Sequence, residues 1–164
     1  MLRHSFWLLL FAICASARAE PPAGYHFLDY DEGLAAAHAS GKPVFVYGGR
    51  IGCGYCARNN KETFSDPAIK KMMEDQYELV YLDTESSDRL TLDTGERISE
   101  MQYAQRANLV GTPFFVVLDP NGRELARLYG YQPKDHILAF NRYVHDGLYA
   151  KESFHKYVTS LNLQ

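Results

Sequence analysis

Cysteine, tryptophan and excess basic charge are all scarce in this sequence. Its 164 residues include three cysteines and one tryptophan, and 17 Lys and Arg residues stand against 20 Asp and Glu residues, which gives a formal net charge of -3 at pH 7. Three cysteines are too few to staple a small domain or to complete a four-thiolate metal site within one chain. Because no basic stretch is dense enough to follow a phosphate backbone, we expect no nucleic-acid binding.

Apolar residues are plentiful by contrast. Hydrophobic residues make up 46% of the chain and aromatic residues 13%. This composition predicts one globular domain with its own core and excludes a disordered protein.

Residues 1–19 have the pattern of a secretory signal peptide. A short basic start precedes an apolar run, and Ala17 and Ala19 supply small residues at the spacing of a cleavage site. The run is too short for a membrane-spanning helix, which needs about 20 apolar residues. We expect cleavage before Glu20 and a periplasmic or secreted protein whose remaining thiols are Cys53 and Cys56.

Cap residues, turn residues and hydrophobic periodicity predict alternating helices and strands after this leader. Residues 20–28 are expected to form an N-terminal extension, residues 29–147 an α/β domain and residues 148–164 a helical tail. The strands are expected at residues 44–47, 77–82, 114–118 and 124–129. The helices are expected at residues 30–40, 53–64, 67–76, 98–107 and 133–146, with a tail helix from residue 153.

Three finer expectations follow from the same patterns. Residues 84–95 are polar, acidic and without periodicity, which predicts an insertion loop that is either simply solvated or involved in partner choice. Met101 and Ala104 are expected to face the core from the fourth helix. The tail helix carries an apolar stripe that is expected to dock on the domain itself; the stripe consists of Phe154, Tyr157, Val158 and Leu161.

Cys53 and Cys56 are three residues apart at the predicted start of a helix. This spacing allows a disulfide, and the helix dipole with its free amides stabilises a thiolate there. We expect Cys53 to be the nucleophile and Cys56, one turn further along and buried, to resolve the mixed disulfide. Arg50 is expected to lower the pKa of Cys53, and Gly54 to keep side-chain bulk away from the sulfur.

Other uses of the cysteine pair fit the sequence less well. A purely structural disulfide closing four residues removes little entropy from the unfolded chain. A zinc site needs two more ligands, and the histidines lack ligand spacing to the motif, so we expect neither metal nor cofactor. The alternatives that stay open are a non-catalytic module holding a soft metal such as Cu(I), a redox latch, and an iron–sulfur cluster shared by two chains.

The order of motifs over about residues 29–146 resembles the thioredoxin superfamily. The segments that carry the resemblance are Val44-Phe45-Val46-Tyr47, Cys53-Gly54-Tyr55-Cys56, Leu79-Val80-Tyr81-Leu82-Asp83, Val110-Gly111-Thr112-Pro113-Phe114-Phe115 and Asp119-Pro120-Asn121-Gly122. Residues 40–43 and 63–67 are similar to exported members, such as the C-terminal domain of the membrane thiol:disulfide interchange protein and the thioredoxin of sulfur-oxidation gene clusters. The resemblance implies a thioredoxin fold, with a central mixed β-sheet flanked by helices and an extra C-terminal helix, and thiol–disulfide oxidoreductase activity.

The resemblance also implies roles for the segment before the third main strand. Gly111-Thr112-Pro113 alone favours a trans proline that starts a strand, whereas the resemblance implies a cis-proline facing the disulfide. Gly111 and Thr112 would then offer backbone hydrogen bonds to a substrate segment, and Tyr55 would line the same groove.

Two positions depart from cytosolic thioredoxin. Gly52 stands where a tryptophan precedes the first cysteine, and Tyr47 stands where thioredoxins have an internal acid. Because a phenol has a pKa near 10, it is a poor general base at neutral pH, so deprotonation of Cys56 must use water or another acid, for which Asp83 at a strand end is a candidate.

The expected partners follow from compartment and family. We expect a protein or small-molecule disulfide as the substrate and a monomeric oxidoreductase that acts as a reductase. A membrane thiol electron conduit is the expected reductant, because an oxidising compartment would otherwise leave the pair oxidised.

Overall fold

The computed structural model describes residues 20–163, and the predicted signal peptide lies outside them. Within this part, no helix is long and apolar enough to cross a membrane. Six strands occur in chain order: β1 (Val44–Gly49), β2 (Glu78–Asp83), β3 (Arg89–Thr91), β4 (Arg97–Ser99), β5 (Phe114–Leu118) and β6 (Glu124–Tyr129). The helices are α1 (Tyr30–Ser40), α2 (Gly54–Glu62), α3 (Pro67–Gln76), α4 (Glu100–Arg106), α5 (Lys134–His145) and α6 (Phe154–Ser160), with a 3₁₀ turn at Leu148–Ala150.

Four of the strands form a mixed sheet in the order β2-β1-β5-β6. Strand β1 runs parallel to β2 and antiparallel to β5, and β6 returns antiparallel to β5 through a tight turn. Every residue of β1 and β5 is buried, which fits the continuous apolar runs of central strands that are covered on both faces. The sheet and its flanking helices confirm the expected architecture.

The two faces of the sheet have different chemistry. The aromatic face, where Phe45, Tyr47 and Phe115 project, is covered by α3 and α5, and Tyr47 reaches α2 by a hydrogen bond to Asn60. The aliphatic face, where Val44 and Val46 project, is covered by α1, α4 and the β3–β4 pair. Side chains alternate along β1 because successive residues of a strand point to opposite faces.

Local sequence signals explain the helix boundaries. Asp66 caps α3 by accepting hydrogen bonds from the N–H groups of Ala68 (2.8 Å) and Ile69 (3.2 Å), and Pro67 occupies the first helical position. Helix α1 ends at Gly41, whose φ of 76° lies in the left-handed region that glycine adopts without strain.

The insertion-loop prediction for residues 84–95 is wrong in its second half. Strands β3 and β4 form an antiparallel pair in which Leu90 lies opposite Ile98, and both side chains are buried on the aliphatic face. Each strand is three residues long and contributes few inward apolar side chains. Alternation over so short a stretch leaves no readable period in the sequence.

The fourth helix also begins later than predicted. Ser99 is its N-cap and forms a capping box with Gln102, so Ile98 belongs to β4 and the helix starts at Glu100. Ala104 is buried as expected, but Met101 is exposed and its inward placement was wrong.

The chain before α1 lies against the edge strand β2. The N–H of Leu28 donates to the carbonyl of Leu79 (2.8 Å), and Leu28 pairs with Val80 as an isolated parallel bridge. The Tyr25 hydroxyl donates to the carbonyl of Phe64 (2.9 Å). These contacts fix residues 20–28 beside the sheet and the end of α2.

The tail docks on α5, as its apolar stripe predicted. The ring of Phe154 packs edge-on against Phe140 and Tyr143, with centroids 5.3 and 5.4 Å away, and Val158 is buried. Leu161, the last residue of the stripe, stays exposed.

Candidate redox site

Cys53 and Cys56 form a disulfide at the start of α2, with their Cα atoms 5.2 Å apart. Cys53 is the N-cap of the helix, and its Sγ accepts a hydrogen bond from the N–H of Cys56 at 3.1 Å. Both cysteines are largely buried, with 8% and 5% of their surfaces exposed. The helix N-terminus directs free N–H groups and the positive end of its dipole at the Cys53 sulfur, an arrangement that stabilises a thiolate.

A short turn carries the chain from β1 to the motif. The N–H of Cys53 donates to the carbonyl of Arg50 (3.3 Å), and Gly52 has a φ of 70°. Only glycine adopts this left-handed conformation without strain, which explains why a small residue precedes the first cysteine. Gly54 is exposed, and a Cβ added there would meet no heavy atom within 4 Å, so the space above it is open to a partner.

Tyr47 lies beneath the disulfide and is fully buried. Its hydroxyl donates to Oδ1 of Asn60 (2.8 Å) and contacts the carbonyl of Cys56 (3.3 Å). Burial among aromatic rings raises the pKa of Tyr47 far above its usual value, and the neighbouring Tyr81 adds to the rise. The phenol is therefore neutral at physiological pH and is no general base.

Asp83, the other candidate proton acceptor, is hydrogen-bonded through both its side chain and its backbone. Its Oδ1 accepts from the N–H of Glu85 (3.0 Å), while its own N–H donates to Oε2 of Glu100 (3.0 Å). Burial raises the pKa of Glu100 to about 7, and the neighbouring carboxylates add to the rise. Glu100 is thus a perturbed carboxyl that sequence reasoning missed, because its burial depends on contacts between distant segments.

The register of the sheet brings the Gly111-Thr112-Pro113 segment to the end of β1. Gly48 pairs with Phe114, so the residue before Phe114 meets the chain where it leaves the sheet for the cysteine motif. The Thr112–Pro113 peptide bond is cis, Pro113 is buried, and Gly111 is exposed with a φ of 85°.

Three exposed apolar side chains lie in the segments that border the disulfide. Tyr55 is 61% exposed, Val110 72% and Ile51 43%. Tyr55 was expected in the substrate groove, whereas Ile51 and Val110 were not singled out from the sequence. Their positions in the sequence could have indicated them, because Ile51 precedes Cys53 by two residues and Val110 directly precedes Gly111.

Arg50 is paired with a carboxylate of the segment that follows β2. Its Nη1 lies 3.6 Å from Oε1 of Glu85, with both side chains about half exposed. The backbone N–H and hydroxyl of Thr84 both donate to the carbonyl of Gly49 (2.9 and 3.2 Å), which anchors this acidic segment beside the motif. The charge expected to act on Cys53 is therefore partly balanced by Glu85.

Metal-ligating side chains do not converge around this motif. Across residues 20–163, no group of three or more His, Cys, Asp or Glu side chains has an arrangement that could hold a metal ion.

The family model of the thioredoxin-like domain matches residues 30–145. This chain belongs to the thioredoxin-like family. The expected thioredoxin fold is thereby confirmed, and residues 53 and 56 lie within the matched range.

Known proteins of this family resemble the chain over most of its folded part. Anterior gradient protein 3 of Mus musculus is 32% identical over 106 residues, which cover 65% of this chain and 61% of that protein. A thioredoxin from Thermus thermophilus is 28% identical with a TM-score of 0.64, covering 78% of this chain and 93% of that one. The oxidised C-terminal domain of DsbD from Neisseria meningitidis shares the fold, with a TM-score of 0.51, 16% identity and coverage of 74% and 99%. The chain spans about 60% of the length of the curated relatives it matches.

Proposed function

We propose that this protein is a thiol–disulfide oxidoreductase that exchanges disulfides with protein or small thiol partners through Cys53 and Cys56. The observation that carries the proposal is the placement of Cys53 Sγ at the N-cap of α2, where it accepts the N–H of Cys56 at 3.1 Å. A sulfur held there is stabilised as a thiolate, which is the attacking form in disulfide exchange.

The proposed reduction proceeds in two exchanges that begin from the dithiol form. The Cys53 thiolate attacks one sulfur of the substrate disulfide, forms a mixed disulfide and expels the other sulfur as a thiolate. The Cys56 thiolate then attacks Cys53 Sγ and expels the second substrate sulfur, which leaves the Cys53–Cys56 disulfide. Two electrons pass to the substrate, whose two thiolates take up protons from solvent.

We assign the remaining site residues to binding and tuning. Tyr55 and the backbone of Gly111 and Thr112, beside the cis Pro113, form the surface that receives an extended substrate segment. The exposed apolar side chains of Ile51 and Val110 widen that surface and favour a protein partner.

The direction, compartment and assembly belong to the same proposal. The protein works as a reductase in the periplasm or outside the cell, as a monomer, with residues 29–147 as its catalytic domain and residues 148–164 as a docked tail. A dithiol of a membrane electron conduit returns the two electrons by the reverse exchange and is itself oxidised to a disulfide. The apolar leader at residues 1–19 supports the compartment.

Insulin reduction by the mature protein tests the chemistry. We expect Cys53→Ser to abolish reduction and Cys56→Ser to accumulate a mixed disulfide with the partner, because the second exchange is blocked. Ser65→Ala, which changes an exposed residue beyond α2, is the matched control and should act like the wild type. The proposal fails if both cysteine variants reduce insulin as fast as the wild type.

Two further measurements test direction and the alternative use of the pair. A midpoint potential well below that of periplasmic oxidants supports a reductase, and a value near theirs reverses the direction. Stoichiometric soft metal in anaerobically purified protein, lost in the double serine variant, would favour a metal-binding module instead.

A further inference from the structure

The backbone of Cys56 is held by two hydrogen bonds of different kinds. Its N–H donates to the sulfur of Cys53 (3.1 Å), and its carbonyl accepts the hydroxyl of Tyr47 (3.3 Å). One residue thus links the reactive sulfur above to the buried phenol below.

The hydroxyl of Tyr47 is itself fixed by a second residue of α2. Oδ1 of Asn60 (2.8 Å) and the carbonyl of Cys56 (3.3 Å) share the single proton of this hydroxyl, and the amide of Asn60 donates to the carbonyl of Glu20 at 3.1 Å. The ring is held by four aromatic side chains with centroids 4.9 to 6.4 Å away: Phe27, Phe64, Tyr81 and Phe115. Neither the ring nor the hydroxyl is free to turn away from the first turn of the helix.

We propose that Tyr47 is a positioning residue of the redox site, whose hydroxyl, held by Asn60, fixes the backbone of Cys56 and through it the N–H contact to the sulfur of Cys53. This inference rests on the proposed function and adds a residue that contacts neither substrate nor sulfur. A fixed N–H donor stabilises the Cys53 thiolate more than a mobile one, because the donor is already oriented when the charge forms.

The role of Tyr47 is structural and not that of an acid or base. Burial raises the pKa of Tyr47 far above neutrality, so the hydroxyl stays protonated while the thiols titrate. The titratable ring that packs on it is Tyr81, whose pKa burial also raises, and the other three rings are phenylalanines without charge. The phenols therefore do not titrate together with the thiols, and the ionisation of Cys53 is coupled to that of Cys56 in the reduced protein.

The chain offers a matched control in the same hydrophobic cluster. Tyr77 is also buried on the aromatic face, and its hydroxyl donates to Oδ1 of Asn141 at 2.8 Å, the distance found between Tyr47 and Asn60. The hydroxyl of Tyr77 reaches α5 and not the redox helix. Tyr77→Phe and Tyr47→Phe thus remove similar buried hydroxyls, and one of them alone is linked to Cys56.

The test measures Cys53 alkylation across pH 4–10 and the equilibrium with glutathione, both on the full mature protein. For Tyr47→Phe we expect the acid dissociation constant of Cys53 to fall about two- to tenfold, the effect of loosening one hydrogen bond. The glutathione equilibrium should shift towards the disulfide by the same factor, because the thiolate of the reduced form loses stabilisation. Asn60→Ala leaves the carbonyl of Cys56 as the acceptor of the Tyr47 proton, so it should not lower the acid dissociation constant of Cys53; a fall in this variant would overturn the inference even if Tyr47→Phe folds poorly.

The outcomes separate this inference from the proposed function. Equal alkylation profiles of Cys53 and equal glutathione equilibria for the wild type, Tyr47→Phe and Tyr77→Phe would overturn the positioning role of Tyr47. The proposed oxidoreductase function would not be affected by that result. A second ionisation in the wild type that Tyr47→Phe removes would make the phenol a proton carrier and also overturn it. Failure of the wild type to reduce insulin would instead contradict the proposed function.

Discussion

The two faces of the sheet solve the same packing problem in different ways. On the aliphatic face, Val44 and Val46 pack against α1 and the β3–β4 pair. On the aromatic face, the alternate residues Phe45 and Tyr47 belong to one cluster with side chains of α3 and α5, and Tyr47 donates a hydrogen bond to α2. Rings bury more area per residue, and tyrosines add a hydroxyl that must find a partner. Only the aromatic face in the described chain therefore combines packing with directional bonds to the helix that carries the cysteines.

Those directional bonds reach several elements at once. The hydroxyl of Tyr47 holds α2, that of Tyr77 holds α5, and that of Tyr25 holds the carbonyl of Phe64. A side chain with one polar tip specifies both where a helix lies and how it is rotated. Because its tyrosine hydroxyls bond to the helices above them, the aromatic face fixes the orientation of α2 more firmly than aliphatic contacts alone would.

Truncation of a central side chain on each face should give the largest effects. We expect Phe115→Ala to lower the free energy of unfolding by about 3–5 kcal/mol and Leu82→Ala by about 2–5 kcal/mol, since both are fully buried. Phe115 also packs 4.9 Å from Tyr47, so its loss should change the midpoint potential as well. Urea unfolding and glutathione equilibria measure the two effects. A change in potential for Leu82→Ala would remove the distinction between the faces.

Two adjacent glycines at the end of β1 allow a sharper comparison. A Cβ on Gly48 would lie 2.0 Å from the ring of Phe114 on the aliphatic face, and one on Gly49 would lie 2.2 Å from the hydroxyl of Tyr81. Because the Phe114 ring is fully buried and Tyr81 is only half-buried, Gly48→Ala should cost more, about 1–3 kcal/mol. Thermal unfolding measures both, with Gly54→Ala as the unhindered control. A larger loss for Gly49→Ala would contradict the ranking.

The pH dependence of stability should report on Glu100, a perturbed carboxyl beside the aliphatic face. Its pKa is raised to about 7 by burial, so the folded protein holds this proton more tightly than the unfolded chain. The resulting stabilisation is complete below about pH 4 and is lost as the pH rises through 7. We expect a loss of about 1 kcal/mol between pH 5 and pH 8, reduced by its partial exposure.

Glu100→Gln supplies the control for that slope. The amide oxygen can still accept the N–H of Asp83 but does not ionise, so the variant should gain stability relative to the wild type above pH 7. Chemical unfolding at several pH values measures the difference. Parallel pH profiles for the two proteins would show that Glu100 does not titrate as described.

The smallest effect is expected at the ion pair beside the motif. Glu85→Gln leaves the charge of Arg50 unbalanced, which should raise the acid dissociation constant of Cys53 by about twofold or less, because both partners are half exposed. Arg50→Gln should act in the opposite direction, and salt should weaken both effects. Alkylation rates across pH measure them. A shift in the same direction for both variants would exclude an electrostatic origin.

Local signals sufficed for several helix and strand positions. The cap at Asp66, the stop at Gly41 and the apolar run of β5 each act within a few residues, so helix and strand positions were readable from the sequence. The β3–β4 pair was not, because three-residue strands leave no period. The side chain of Met101 points outward because the helix is capped at Ser99, one residue after its predicted start, and this shift changes which residues face the core.

The candidate site was readable only in part for a physical reason. Cys53 and Cys56 can be recognised in the sequence by their spacing, and Tyr47 by its position before them. The partners of Tyr47 could not be recognised, because Asn60 lies two turns along α2 and the rings of Phe27 and Phe115 that pack on Tyr47 lie far from it in the sequence. Such contacts depend on the tertiary fold.

The bridge between Leu28 and Val80 limits how far the edge strand β2 can pair with other molecules. Strand β2 ends the sheet, and a bare sheet margin offers free N–H and C=O groups to any extended chain nearby. By pairing with Val80, the stretch ahead of the first helix shields part of that margin from a neighbouring molecule. Fewer free backbone groups of β2 are thereby left for an extended segment of another chain to pair with.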